Sequence, residues 1–374
     1  MEIQRLLTDN GAPRDIRIPF RKLLHKEPYG LKYALDADHP DLVLIHGTDK
    51  SDLSLKAVRE ANGIVFNRKD MKLVAYGMNR IEEFPRPPLV HPPCTEVQES
   101  EDGSVIKLFF HAGQWISSTN KRLDAKRCSW SSDRSFHELF RDALPERDYD
   151  SATAVLDRNN VYSFVLLHPE NFIVRFQPVP ELVHVATRSM LSLEEVSADV
   201  PWARKPKFID REDRPPALQC AGRGVIFVDR SDLVDVRRVK LDDPEYQTAH
   251  NLRKNMKHMH LSYLACSPEE KRQFPEVFPA FAPYCATIDT WIGTLVDDVH
   301  RSYMDSFVRK QYLFDKSHPY FPLVIGCHKI YKAERTKVTK DVVRLVIANA
   351  QVTDLDVALQ LCSQMHVCMG RNKI

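Results

Sequence analysis

An α+β fold, with antiparallel sheets flanked by helices and then an all-helical C-terminal domain, is predicted by three features of this 374-residue sequence. Up to about residue 262 the apolar runs are short, rich in β-branched residues and punctuated by proline, which suits strands. Beyond that point apolar residues recur at a 3.6-residue period over several turns, which suits amphipathic helices. A strong helix-start signal marks the change. The expected domains are therefore 1–262 and 263–374.

In chain order, Leu42-Val43-Leu44-Ile45, Gly63-Ile64-Val65-Phe66 and the segments 105–110, 172–176 and 224–228 read as strands. A helix is expected over 132–144, where Phe136, Leu139, Phe140 and Leu144 fall at helical spacing behind a serine cap. The groups Pro85-Arg86-Pro87-Pro88, Pro92-Pro93 and Pro215-Pro216 read as stiff connections bounding strands. Ser267-Pro268-Glu269-Glu270 then joins a capping serine, a first-turn proline and a capping-box glutamate. Ile288, Trp291, Ile292, Leu295, Val299, Tyr303 and Phe307 form one stripe. Thr339 and Thr353 read as caps of two further helices, with apolar faces carrying Val342, Val343 and Val346, then Val357, Ala358 and Leu361. Such stripes are packing faces, because a helix in water needs one to bury.

A formal net charge of +2 gives no global push toward nucleic acid, so any basic surface must be local. Cys94, Cys128, Cys220, Cys266, Cys285, Cys327, Cys362 and Cys368 form no Cys-x-x-Cys pair, which favours reduced thiols in a cytoplasmic or nuclear compartment over disulfides or zinc. Met1 to Arg5 open on charge, and no apolar run reaches bilayer length, so export and membrane insertion are not expected.

The most informative stretch is Ser100-Glu101-Asp102-Gly103-Ser104. It reads like the nucleophile motif of a covalent nucleotidyltransferase, Lys-x-Asp-Gly, without its lysine. That lysine attacks the α-phosphate of ATP as a free amine, and a hydroxyl would need an adjacent general base to do the same. Around it stand, in order, Ala61-Asn62-Gly63-Ile64-Val65-Phe66-Asn67, Asn79-Arg80-Ile81-Glu82-Glu83-Phe84, Trp115-Ile116-Ser117-Ser118-Thr119, Phe164-Val165-Leu166-Leu167-His168-Pro169-Glu170-Asn171, Gly222-Arg223-Gly224-Val225-Ile226-Phe227 and Arg238-Val239-Lys240.

This ordered set resembles the phage-type RNA ligase 1 family of ATP-dependent ligases across nearly the whole chain. The resemblance implies a nucleotidyltransferase core of the DNA/RNA ligase type, with its motifs on two antiparallel sheets around an ATP cleft and a helical domain that helps recognise RNA. It assigns Asp102 and Gly103 to the turn after the nucleophile, and Arg238 and Lys240 to the motif whose basic side chains meet the α-phosphate. Arg188 sits where the family continues past its third motif. Four positions depart: Asn62 stands for an arginine, Ser100 for the lysine, and Val165 and Arg223 each for a glutamate. Exchanging a metal-facing glutamate for Arg223 changes the local charge by two units. Each unit is worth roughly 3 kcal/mol about 5 Å from an ion at an effective dielectric near 20. Magnesium is disfavoured there and an anion is not, so Arg223, Arg238 and Lys240 form a candidate cationic floor for phosphate. A plain ion pair of Arg223 with Asp229 or Glu101 is the open alternative.

Lys107 and Lys121 are the candidates for a relocated nucleophile, and His168 is read as a turn residue. The stretch of His250, Lys254, Lys257, His258 and His260 reads as a solvated basic helix, and no metal site is expected. Lys121, Arg122, Lys126 and Arg127 near Trp130, and 237–257 with Tyr246, have the composition of an RNA-tracking groove with stacking rings.

Three functions remain open on the sequence. The first is an RNA ligase-like pseudoenzyme that keeps RNA or nucleotide-phosphate binding and needs no cofactor. The second is an active ligase that joins 5′-phosphate and 3′-hydroxyl RNA ends, as in RNA repair, with ATP, magnesium and a relocated lysine. The third is a protein-interaction scaffold. Oligomeric state is not legible.

Overall fold

The computed structural model describes residues 1–9, 28–84, 94–209 and 223–361. The three proline groups lie outside the described residues. The fold is α+β, and the chain forms two compact units, Met1–Gln247 and Thr248–Ile374. Among the described residues no helix is long and apolar enough to cross a membrane.

The first unit holds strands β1 (Lys32–Ala34), β2 (Leu42–His46), β3 (Asn62–Asn67), β4 (Leu73–Ala75), β5 (Glu82–Glu83), β6 (Glu96–Glu99) and β7 (Ser104–His111). These are followed by β8 (Gln114–Thr119), β9 (Asn160–Leu167), β10 (Glu181–Ser189), β11 (Glu195–Val196), β12 (Gly224–Asp229) and β13 (Arg237–Asp242). They make three sheets, ordered β1-β2-β3-β4, β11-β10-β9-β7-β8 and β5-β13-β12-β6. Pairing is antiparallel except between β5 and β13.

The continuous apolar runs have a simple cause: both faces of the first sheet are covered. Val43, Ile45, Ile64 and Phe66 pack under Ile3 and Leu7 of the helix Glu2–Asp9 and under Val58 of the helix Lys56–Glu60. Leu42, Leu44 and Val65 face the other way, against Phe109, Ile116 and Val161 of the second sheet. With alternate residues buried on opposite sides, the strand reads as unbroken hydrophobicity. The β7–β8 hairpin turns on Ala112 and Gly113, both at positive φ (48° and 84°), the backbone of a tight hairpin turn.

Two local expectations in this unit are corrected. The helix expected over 132–144 spans Phe136–Asp142 and is capped by Ser135, which shares a reciprocal capping box with Glu138. The Ser132 hydroxyl instead donates to Glu170 at 2.7 Å. Residues 172–176 form no strand, because the N–H groups of Val174 and Arg175 both donate to the Asp102 carboxylate, at 2.9 and 2.7 Å, and so are lost to a ladder.

The second unit is helical. It includes Met259–Leu264, Pro268–Val277, Ala282–Tyr303, Phe321–Glu334, Lys340–Ala348 and Val352–Leu359. Ser267 forms the expected capping box with Glu270, and Thr339 caps its helix by accepting from Val342 N–H. Each such cap is worth about 1 kcal/mol. Ile288, Trp291, Leu295, Val299 and Tyr303 bury one face of the long helix, which continues into a π-helical turn, Met304–Val308, carrying Phe307. Thr353 is not a cap, since its helix begins at Val352 behind Gln351. The buried face there is Leu355, Ala358 and Leu359, whereas Val357 and Leu361 are exposed. The expected basic helix is also only partly solvated. Arg253 is buried and donates to Ser262 Oγ at 2.7 Å, and Lys254 pairs with Glu270.

Candidate functional site

Backbone pairing brings the motif positions to one end of the third sheet. Ser100 follows β6 and is buried, its N–H donating to the carbonyl of Gly224 at 2.8 Å. Gly224 opens β12 beside Arg223 and pairs with Asp242 at the end of β13, two residues past Lys240. Asp242 then collects both cations, with Arg223 Nε at 3.0 Å and Lys240 Nζ at 3.1 Å. Glu83 stands 3.5 Å from Lys240. The Arg223 guanidinium lies 5.0 Å over the ring of Tyr246, whose hydroxyl donates to Asp102. Burial, and next the Asp102 charge, push the Tyr246 hydroxyl well above the usual phenol range, so it stays a donor.

Asp102, Arg223 and Lys240 are thus joined through Asp242 and Tyr246. Arg223 has its ion pair, but with Asp242; Asp229 instead accepts from Ser231 N–H, and Glu101 pairs with Arg204. Arg238 does not extend this group, because it is buried and bound to Glu195 at 2.6 Å. Gly103 fits a tight passage: an added Cβ would lie 2.4 Å from the Leu166 carbonyl oxygen and 2.7 Å from Val165 Cγ1. Val165 is buried among Leu167 and Val183.

A pocket of about 250 Å³ opens nearby, lined by His46, Asn62, Arg80, Val105, Asn120 and Lys121 among others. Asn62 is one of the departed motif positions, and Val105 pairs across the ladder with another, Val165. Arg80 is held in place by donating to the Thr48 carbonyl at 2.8 Å, and Gly47 leaves room for it, since a Cβ there would meet Arg80 Nη1 at 2.6 Å. Two cations, Arg80 and the exposed Lys121, and one carboxylate, Asp49, line this space. Burial holds the His46 imidazole below its ordinary range, with smaller contributions from the nearby lysines.

Behind the wall lies a feature that the sequence pattern does not announce. Lys107 is buried, and its Nζ donates to the carbonyls of Asn62 at 2.8 Å and Gly63 at 2.6 Å. Gly63 sits at φ +72°, and a Cβ on it would lie 2.2 Å from that nitrogen, so glycine is required both by backbone and by space. Burial pushes the Lys107 amine down to about 7.

The RNA candidates divide. Lys121, Arg122, Lys126 and Arg127 are exposed, but Arg127 pairs with Asp38 at 3.0 Å and approaches Asp36 at 3.8 Å. The two expected stacking rings are not open. Trp130 packs on the core beside Phe136 and Phe140, and Tyr246 is fully buried. Among the described residues, Asp36, Asp38 and Asp124 alone have metal-like grouping, with ligand atoms within 4.8 Å. Arg127 already sits against the first two. The His258 and His260 rings stack at 5.6 Å, and His260 meets Asp356 at 3.1 Å.

No known family profile matches the chain. It is 33% identical over 98 residues to the Immediate-early protein ICP-46 of Frog virus 3 (isolate Goorha), covering 21% of this chain and 24% of that protein. It is 24% identical over 227 residues to the Immediate-early protein ICP-46 homolog of Invertebrate iridescent virus 3, covering 56% of this chain and 49% of the relative. The chain therefore spans half or less of the length of these curated relatives. Among solved structures, an archaeal ATP-dependent RNA ligase overlays with a TM-score of 0.39 at 12% identity, over 91% of this chain and 79% of its own. A putative ATP-dependent DNA ligase from Aquifex aeolicus overlays with a TM-score of 0.40 at 11% identity, over 86% and 81%. Overlays this loose assign no reaction.

Proposed function

We propose that this chain is a non-catalytic, RNA ligase-like protein that binds the phosphates of a nucleotide in the pocket of Arg80 and Lys121 and forms no covalent adduct with it. The observation that carries the reading is that pocket. Two cations line a space walled by Asn62 and Val105, and a phosphate there would take charge-assisted hydrogen bonds from Arg80. Inactivity is supported by Ser100, a buried hydroxyl where the resemblance expects an amine, and by Arg223, whose cation occupies a place where the resemblance expects a metal-facing carboxylate. ATP is the natural probe, and magnesium would serve only as its counter-ion in solution.

The test is incubation with α-labelled ATP and magnesium. Reversible binding is expected, weakened about 10- to 100-fold by Arg80→Ala, the usual worth of a hydrogen bond to a charged group. No label should survive denaturation. A retained label mapped to Lys107 or Lys121 would establish the active-ligase alternative, and absence of any nucleotide binding would leave the scaffold. Ser100→Lys alone should also stay unlabelled, because the new amine enters beside Arg223 and Lys240 with no acidic helper at Val165. Recovery of adenylylation by that single change would show that the other losses matter little.

A further inference from the structure

The pocket of Arg80 and Lys121 carries one group whose charge is not fixed. His46 ends β2 and is held between two strands, paired with Lys32 of β1 and with Asn62 of β3. Its Nδ1 lies 2.8 Å from the Gly47 carbonyl oxygen. A carbonyl only accepts, so Nδ1 carries the proton and, in the neutral ring, Nε2 carries the lone pair. Nε2 makes no hydrogen bond among the described residues, and the half-buried ring lines the pocket. The residues that follow hold the Arg80 head. A Cβ on Gly47 would lie 2.6 Å from Arg80 Nη1, which donates to the Thr48 carbonyl at 2.8 Å. Imidazole and guanidinium are thus tied to one short turn.

The charged groups around the ring come from every side and are nearly all positive. Lys32 stands on β1, Lys107 on β7, Lys121 just past β8 and Arg80 before β5, while the exposed Asp49 is the one acid that lines the pocket. No carboxylate forms an ion pair with His46 among the described residues. Burial first, and then the lysines, keep the imidazole neutral near pH 7. An anion reverses that balance. A phosphate held by Arg80 brings about two negative charges into the cavity, and an opposite charge nearby favours the protonated ring. Linkage makes the effect mutual, so a proton on His46 tightens the phosphate, to which Nε2–H then donates a charge-assisted hydrogen bond.

We infer that His46 is a proton-operated third cation of this pocket, which takes up a proton at Nε2 as phosphate enters, so that the site holds its nucleotide more tightly as pH falls. The inference rests on the nucleotide reading above and adds its regulation. The gain sets in as pH falls through the value of the imidazole with phosphate bound and levels off below its value in the empty pocket.

The experiment measures ATP affinity, without magnesium, at about pH 8 and about pH 5.5 for the parent and for His46→Gln, which stays polar and has no proton to gain. ATP's own titration and that of the remaining side chains are common to both proteins and cancel. Between those values the parent should gain about tenfold in affinity relative to His46→Gln, the effect of raising one group's pKa by a single unit. Nitrogen-15 spectra of the parent's imidazoles need no variant: at about pH 6.5 ATP should convert one ring from neutral, with its proton on Nδ1, to doubly protonated. An equal pH response in the two proteins, or spectra in which no ring gains a proton, overturns the inference and leaves the nucleotide reading in place. So does a response that survives in His46→Gln and vanishes in Lys107→Met, since the proton would then belong to the buried amine. Relative weakening of the parent in acid would make the ring a neutral acceptor from the ligand and overturn it too. Absence of ATP binding at either pH removes both readings.

Discussion

Replacing Glu195 with glutamine is expected to destabilise the first unit by about 3–5 kcal/mol, the range for removing one partner from a buried ion pair. Glu195 is 3% exposed and accepts from three arginines, Arg238 at 2.9 and 2.6 Å, Arg188 at 3.2 Å and Arg230 at 3.3 Å. Arg188 and Arg238 are themselves buried. Arg188 is secured further by donating to the Gly77 carbonyl and by lying 4.1 Å over the Tyr76 ring. Arg238 has no such reserve, and its Nε already lacks a partner. Without the carboxylate two guanidinium ions would remain in a dry site, and a neutral amide would turn one donor toward them.

The effect should depend on pH. Burial alone would raise the Glu195 carboxyl, but Arg238, then Arg188 and Arg230, outweigh it and hold it below the ordinary glutamate range. A folded value below the unfolded one, about 4.3, means the contribution is fully present above that pH and disappears as pH falls through the folded value. Denaturant melts at about pH 7 and at about pH 3 should therefore show a larger gap between parent and Glu195→Gln at the higher pH. Equal stability of the two proteins near pH 7 would remove the network from any account of this unit. The network also explains why Arg238 contributes nothing to a phosphate floor.

Features whose cause is local were legible in the sequence. The Ser267 capping box needs only residues three apart, and the strand at Leu42 needs only that both faces be covered. Ser135 has the same spacing, three residues before Glu138, whereas the Ser132 that opens this polar run is taken by the distant Glu170. Features set by distant partners were not. Residues 172–176 look like a strand until Asp102, more than seventy positions away, takes their N–H groups.

The site divides along the same line. Order and spacing carried Ser100, Arg223 and Lys240 toward one end of a sheet, but the choice of Asp242 as the counter-ion shared by Arg223 and Lys240 depends on the β12–β13 register. Composition put Trp130 and Tyr246 beside basic residues, and composition holds no direction: one ring packs inward and the other reaches Asp102. Arg80 was in plain view within Asn79-Arg80-Ile81, with no role until the fold set it across from Lys121.

Lys107→Met is expected to change how stability depends on pH, and this bears directly on whether a relocated lysine does chemistry here. The unfolded amine titrates near 10.4, and burial brings the folded one to about 7. Between those values the unfolded chain carries a proton that the folded chain lacks, so the stability of the parent rises with pH through this window. Below about 7 both states are charged and the cost of the buried cation is present in full. Methionine has no proton to bind, so the stability difference between parent and variant should shift by about 3 kcal/mol in favour of the parent from about pH 6.5 to 9.5, at 1.36 kcal/mol per pH unit. Chemical denaturation at those two values measures it, and other tyrosines and lysines cancel because both proteins share them. Parallel curves would mean that Lys107 stays charged or reaches water. A neutral amine near pH 7 is what a nucleophile needs, but this one is buried and anchored by donating to the carbonyls of Asn62 and Gly63, so its lone pair would reach a nucleotide only if the side chain left that site. Lys107 therefore acts as the internal post that fixes β3 against β7 behind the pocket wall, and the variant should lose nucleotide affinity only so far as Asn62 moves.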